Sequence, residues 1–156
     1  MTAAPDGADL IIRAATEDDI GAIVHLLADD PLGSTRETTD DLAPYEAAFA
    51  RVTADPSQRL VVAERAGRIV GTLQLTVIPG LSRRGATRSI VEGVRVASTE
   101  RGSGLGTTLL EWAVEQSRRL GVDLVQLTSD ATRTDAHRFY ERLGFVKSHV
   151  GFKLSL

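Results

Sequence analysis

From Val94 to Thr107 the chain runs Val-Arg-Val-Ala-Ser-Thr-Glu-Arg-Gly-Ser-Gly-Leu-Gly-Thr, a strand-like lead, a turn with glycine at 102, 104 and 106, and the start of a helical pattern. Alternating glycines let successive backbone N–H groups converge on one anion without obstruction by Cβ, and the free N–H groups of a helix N-terminus add attraction. A pyrophosphate is the natural ligand. The competing reading is mechanical, since glycines in a turn also allow a strand and a helix to pack closely. Other phosphate folds do not match. A dinucleotide fingerprint needs glycine at the sixth position, where Thr107 or Leu109 stands depending on the starting glycine. A P-loop needs a lysine that the segment lacks, and a nucleophile elbow around Ser103 needs glycine where Arg101 sits.

Hydrophobic spacing sets the elements around this turn. A short strand is predicted at Leu10 to Arg13, then a capping box of Thr16 and Asp19 before Ile20, Ile23, Val24 and Leu27 at helical spacing. Pro31 and Gly33 interrupt, and Leu42, Tyr45, Phe49 and Val52 form the stripe of a second helix. Arg59 to Arg65 and Arg68 to Ile78 read as a hairpin about Ala66-Gly67, and Thr87 to Val96 as the strand that enters the glycine turn. Leu105, Leu109, Trp112, Ala113 and Leu120 make an amphipathic helix that Gly121 ends. A short buried strand is expected at Leu124 to Thr128. A second capping box, Thr132 with Asp135, would open a helix bearing Ala136, Phe139, Tyr140 and Leu143, and Phe145 to Leu154 is expected to supply one or two final strands. No repeat or linker divides the 156 residues, so residues 10–156 are expected to form one domain behind a flexible tail at residues 1–9.

Charge and composition narrow the chemistry. A formal net charge of -3 offers no broad basic footprint for nucleic acid. With no cysteine there is no disulfide, thiolate metal site or cysteine nucleophile. His25, His137 and His149 show no metal-ligand spacing, and Ser148-His149 alone makes no triad, so no metal is expected. Neither a signal peptide nor an apolar run long enough for a membrane helix is visible, which points to the cytoplasm and away from membranes.

Arg101 to Gly106 matches R-x-x-G-x-G. With the Glu92-Gly93-Val94-Arg95-Val96 strand before it and Ala136-His137-Arg138-Phe139-Tyr140-Glu141-Arg142-Leu143-Gly144-Phe145 after it, the chain resembles the GNAT acyltransferase superfamily. The resemblance implies an α+β, three-layer fold: a mixed central sheet of about six to seven strands with flanking helices, splayed between the fourth and fifth strands. It implies acetyl-coenzyme A as acyl donor and, as acceptor, an amine of a small molecule or peptide attacking directly in a ternary complex. Backbone groups of Gly102, Ser103, Gly104, Leu105, Gly106 and Thr107 beside Arg101 would hold the pyrophosphate. Those of Val94, Arg95 and Val96 would run along the pantetheine arm, with an N–H near Val94 on the thioester carbonyl. Tyr140 matches the family's acid beside the sulfur, and Glu92 the strand position that accepts the amine's proton. Arg133 stands where the family often has asparagine, and would either contact coenzyme phosphate or ribose or be solvated. A homodimer is a family-level expectation.

Each assignment has a plainer alternative. Tyr140 shares an apolar helical face with Ala136 and Leu143 and would serve core packing alone. Strand parity puts Glu92 with Ile90, Val94 and Val96, where burial would raise its pKa or a salt bridge to Arg88 would neutralise it. Asp29, Asp30, Glu37, Asp40, Asp41 and Glu46 form either an acidic wall for a cationic amine or a solvated face. Two further classes of function stay open: a catalytically silent coenzyme A-binding sensor or interaction module, and an enzyme for another nucleotide-like ligand.

Overall fold

Ala66 and Gly67 take φ of 50° and 73°, the left-handed pair that lets a two-residue turn follow the twist of its strands. They join β2 (Gln58–Arg65) to β3 (Arg68–Ile78). In the computed structural model, which describes residues 9–156, this hairpin is the middle of a sheet whose strand order follows the chain, β1-β2-β3-β4-β5. β1 is Leu10–Ala14, β4 Arg88–Val96 and β5 Leu124–Leu127. Three pairings are antiparallel and the last, β4 with β5, is parallel. The expectation of a tail at residues 1–9 lies, apart from the exposed Asp9, outside the described residues.

Helices cover both faces, as period-two strands with two apolar faces require. On one side α3 (Leu105–Arg119) lays Leu105, Leu109, Leu110 and Ala113 against Val61, Ala63, Leu73, Leu75 and Val91, all buried. α4 (Thr134–Arg142) adds Phe139 and Tyr140 to the edge of that cluster. On the other side α1 (Ile20–Ala28) and α2 (Ala43–Ala54) bring together Ile20, Val24 and Phe49 over Leu60. Two buried serines are matched: the Ser89 and Ser117 hydroxyls lie 2.8 Å apart, and Ser117 also donates to the Ala113 carbonyl at 2.8 Å.

Strand β4 is irregular in two ways. Gly93, at φ 60°, is part of a bulge: Gln74 faces Glu92 and Thr72 faces Arg95, so β4 spends three residues where β3 spends two. β4 and β5 also stay in register over only four pairs, from Arg88–Leu124 to Val91–Leu127. Beyond Val91 the described residues give β4 no partner on that side.

The sheet thus has five strands rather than six to seven. The missing ones are those expected from Phe145 to Leu154. This segment pairs with no strand, and Val146, Val150, Phe152 and Leu154 are between 79% and 93% exposed. Alternating apolar residues give a strand its faces but not a neighbour to bond. The second capping box also differs. The Thr132 hydroxyl and N–H both go to Asp130 Oδ1, at 2.6 and 2.9 Å, while Asp135 meets Arg138, so a local Asx turn captures Thr132 before the helix can. No described helix is long and apolar enough to cross a membrane.

The first capping residue does more than the pattern asks. Asp19, buried, accepts from the Thr16 N–H at 2.8 Å and takes Arg13 in a two-pronged pair at 2.7 and 3.0 Å, while Arg13 Nε reaches Glu64 at 2.9 Å. Hydrogen bonding from Arg13, against the effect of burial, lowers the Asp19 pKa from 3.8 to about 2. A carboxylate depressed on folding contributes stability that is complete above its unfolded value and disappears as pH falls through its folded one. Urea midpoints should therefore decline as pH drops from about 4 toward about 2. In Asp19→Asn that part of the acid dependence should be absent, with a lower midpoint already at pH 7; an unchanged acid profile would count against the account.

Candidate active site

The glycines at 102, 104 and 106 divide their work. Gly102 and Gly104 have φ of 80° and 85°, and a Cβ built on either meets nothing within 4 Å. Their requirement is conformational, and the space beside them is open. A Cβ on Gly106 would lie 3.3 Å from Phe139 Cζ, so this glycine is the one that serves packing, letting α4 approach the first turn of α3. The first return bond of α3 is Thr108 N–H to the Gly104 carbonyl at 3.1 Å, and no side chain caps the helix. The N–H groups of Leu105, Gly106 and Thr107 are consequently unclaimed at the positive end of a 15-residue helix. These features suit a pyrophosphate better than a dry packing turn does. One expected donor is spent elsewhere: the Ser103 N–H and hydroxyl both bond Glu100 O, at 3.2 and 2.6 Å, and shape the turn.

The unpaired half of β4 leads to this turn, so Val94, Arg95 and Val96 present a free strand edge beside the uncapped helix N-terminus. The bulge rearranges their faces. Val94 and Val96 pack on the α3 side with Val91, whereas Glu92 and Arg95 share the α1 side. Parity counting places Glu92 with Val94 and Val96, and the structure overturns this, because the extra residue at Gly93 inverts the alternation. Glu92 is exposed and forms no ion pair among the described residues, so neither burial nor a bridge to Arg88 describes it. It is a water-accessible carboxylate opposite Gln74.

The arginine side chains reach away from the turn, to the end of α1. Arg95 Nε lies 2.9 Å from Asp30 Oδ2, at an angle too oblique for a hydrogen bond, and Arg95 also donates to the Val94 carbonyl at 2.9 Å. Arg101 donates to the Asp29 carbonyl at 3.1 Å and faces its carboxylate at 3.9 Å. Burial alone would raise the Asp30 pKa, but the Gly33 N–H and the charges of Arg95 and Arg133 outweigh it and hold the group low. Asp29 and Asp30 thus fasten α1 to β4 and to the glycine turn. Glu37 is likewise engaged, accepting the Tyr45 hydroxyl at 2.6 Å, while Asp40, Asp41 and Glu46 are exposed. Sequence reasoning misses the clamp role of Asp30; the only local signal is an aspartate three residues before Gly33 at a helix end.

Tyr140 stands between Phe139 and Phe145, with ring centroids at 5.3 and 6.1 Å in edge-on contacts. Burial raises its pKa, while the Arg133 and Arg95 charges pull the other way. The phenol therefore stays protonated through neutral pH. Arg133 is exposed but close enough to act on both Tyr140 and Asp30, so Arg95, Arg133, Tyr140 and the β4 edge converge. The Ser129 hydroxyl, just past β5, is buried without a partner. On the α1 side, an apolar cavity of about 130 Å³ is lined by Ile20, Val24, Leu27, Tyr45, Phe49 and Gln74, the last of which pairs with Glu92.

The acetyltransferase (GNAT) family model matches residues 21–145. Aminoalkylphosphonate N-acetyltransferase of Salmonella typhimurium is 32% identical over 93% of this chain and 90% of its own length. Among solved structures, one described as a transcriptional regulator from Bacillus halodurans is 44% identical, with a TM-score of 0.91 over 95% of this chain and all (100%) of that one. An acetyltransferase of Trypanosoma brucei is 30% identical, with a TM-score of 0.72 over 95% of this chain and 100% of its own.

The division among the glycines can be measured. Gly104→Ala forces a side chain into the left-handed region at a cost of roughly 1–2 kcal/mol and crowds the open turn. Calorimetric titration with coenzyme A should show affinity reduced at least ~10-fold, a loss of about 1.4 kcal/mol of binding. Gly106→Ala should act first on thermal stability, through Phe139. The reverse order of effects would contradict the division.

Proposed function

The chain belongs to the acetyltransferase (GNAT) family, and from that membership we propose that it transfers an acetyl group from acetyl-coenzyme A to the amine of a small molecule that also carries an anionic group such as a phosphonate or phosphate. The observation that carries the reading is the meeting of three unclaimed N–H groups of α3 with the free edge of β4, under a protonated phenol. The N–H groups of Leu105, Gly106 and Thr107 hold the pyrophosphate, and the β4 edge from Val94 to Val96 orients the pantetheine arm. A backbone N–H near Val94 is aimed at the thioester carbonyl, where negative charge develops as the amine attacks. The C–N bond forms, the C–S bond breaks, and Tyr140 gives its proton to the departing thiolate. Glu92, open to water, takes the amine's proton through the solvent that reaches it.

The anionic half of the acceptor is inferred from charge. Arg133 is exposed at the mouth, and Arg36 and Lys153 both act on neighbouring Asp130, so cations gather where β5 leaves β4. The relative named for aminoalkylphosphonates points the same way. In this reading the working unit is a homodimer. A second reading, a coenzyme-binding regulator without turnover, is favoured by the 44% identity to the chain described as a transcriptional regulator. Turnover separates the two.

Thiol release should be followed with acetyl-coenzyme A and a panel of aminoalkylphosphonates, amino sugar phosphates and uncharged amines. Release with the anionic amines is expected; coenzyme binding with no release across the panel would favour the regulator. Tyr140→Phe should lower kcat by about 100-fold with little change in the KM for acetyl-coenzyme A, the scale of a lost general acid. Because burial raises its pKa above the ordinary 10.0, any alkaline decline in kcat attributable to Tyr140 should have its midpoint above that pH. An unaffected Tyr140→Phe would return that residue to a packing role.

A further inference from the structure

The helices on the α1 side do not pack down onto the sheet everywhere. Where α1 and α2 cross β2 and β3, a cavity of about 130 Å³ lies between Ile20, Val24 and Leu27 of α1, Tyr45 and Phe49 of α2, and Gln74 of β3. Close-packed interiors keep few voids larger than a water molecule, and an apolar pocket with a small number of placed polar groups is the usual form of a small-molecule site. No charged side chain lines this one. The Tyr45 ring is a fixed wall, because its hydroxyl donates to Glu37 at 2.6 Å and accepts the Thr38 N–H at 2.9 Å. Gln74 is therefore the only polar group with anything to offer inside.

Two walls of the cavity border the bulge of β4. Gln74 is the register partner of Glu92, and a Cβ built on Gly93 would lie 4.0 Å from Leu27 Cδ2. The Gln74 amide is oriented by the sheet: its Nε2 donates to Gln58 Oε1 at 2.9 Å, and the same oxygen accepts the Thr76 hydroxyl at 2.8 Å. With its nitrogen committed, Gln74 has a carbonyl oxygen to offer, one acceptor beside a second, the Glu92 carboxylate. Such a rim suits the N–H groups of an amine, and the apolar walls behind it suit carbon. We propose that the cavity receives an alkyl substituent borne by the amine-bearing carbon of the acceptor, with Gln74 positioning the amine at its rim, so that chain-bearing amines are preferred over unsubstituted ones. An apolar cavity of about 150 Å³ holds a benzene molecule, so this one suits a chain of roughly three to five carbons. The anionic group of the acceptor is left to the cations around Arg133, and the uncharged cavity does not compete for it. The inference rests on the acetyl-transfer reading for the identity of the amine, and on packing alone for the pocket.

Calorimetric titration of the full chain, with coenzyme A present, against 1-aminoalkylphosphonates whose side chain grows from methyl to pentyl reads the pocket directly. Affinity should rise about fourfold per methylene until the cavity is full, the worth of one buried CH2 group. The heat-capacity change should grow more negative along the same series. Ala48→Phe, which adds a ring to the cavity from a half-buried position on α2, should bind the methyl and pentyl members alike. Equal affinity along the series in the unaltered protein, or a chain-length dependence that survives Ala48→Phe, overturns the pocket. Should that variant not fold, the heat-capacity trend of the unaltered protein decides, and a flat trend refutes the inference. Thiol release from acetyl-coenzyme A with the same amines separates the two readings. Chain-dependent binding without release defeats acetyl transfer and leaves the pocket; release without chain dependence defeats the pocket alone; failure of every member to bind overturns both.

Discussion

Strand β4 is held on both sides as far as Val91 and on one side beyond it. Everything proposed for the site depends on that change. A strand in mid-sheet has no hydrogen-bonding groups to spare, whereas an edge presents a row of them. Here the edge opens where the strand runs into the glycine turn, so the free strand edge leads directly to the open helix N-terminus. The bulge at Gly93 falls at the same place, adding twist and turning Glu92 and Arg95 toward α1 while Val94 and Val96 stay with the α3 core.

The two helical layers are tied to this opening by charge. Arg95 and Arg101 stand on the strand and on the turn, and both reach the end of α1, where Asp30 and Asp29 meet them. The Asp30–Arg95 pair is largely shielded from solvent and lacks good hydrogen-bond geometry, so it is poor evidence for stability. Its effect is positional. α1 also forms one wall of the apolar cavity beside Gln74 and Glu92, so the clamp holds that cavity in a set place relative to the free edge of β4. Residues that looked from the sequence like a ligand contact and an acidic wall are, in part, each other's partners.

Much of the chain could be read from periodicity because its elements are locally consistent. The hairpin turn at Ala66-Gly67, the stripe of α2 through Phe49, the stop at Gly121 and the strand–turn–helix around Gly102 and Gly104 all follow from residues that few conformations satisfy. Where periodicity misled, a short-range competitor or a long-range partner decided. Thr132 is taken by Asp130, two residues away, and the face of Glu92 is reversed by one extra residue that parity counting cannot see.

The sequence alone determined the family, the mixed sheet with helices on both faces, and the strand–turn–helix around Gly102 and Gly104, because glycine spacing and hydrophobic period act through the local backbone. Tertiary structure decided which glycines serve backbone conformation and which serves packing, where β4 loses its neighbour, and that Asp29 and Asp30 meet arginines of the glycine turn and of β4. It also decided that residues 146–156, a strand by every local measure, have no place in their own chain's sheet. These outcomes depend on distances between residues far apart in sequence, and no local propensity contains them.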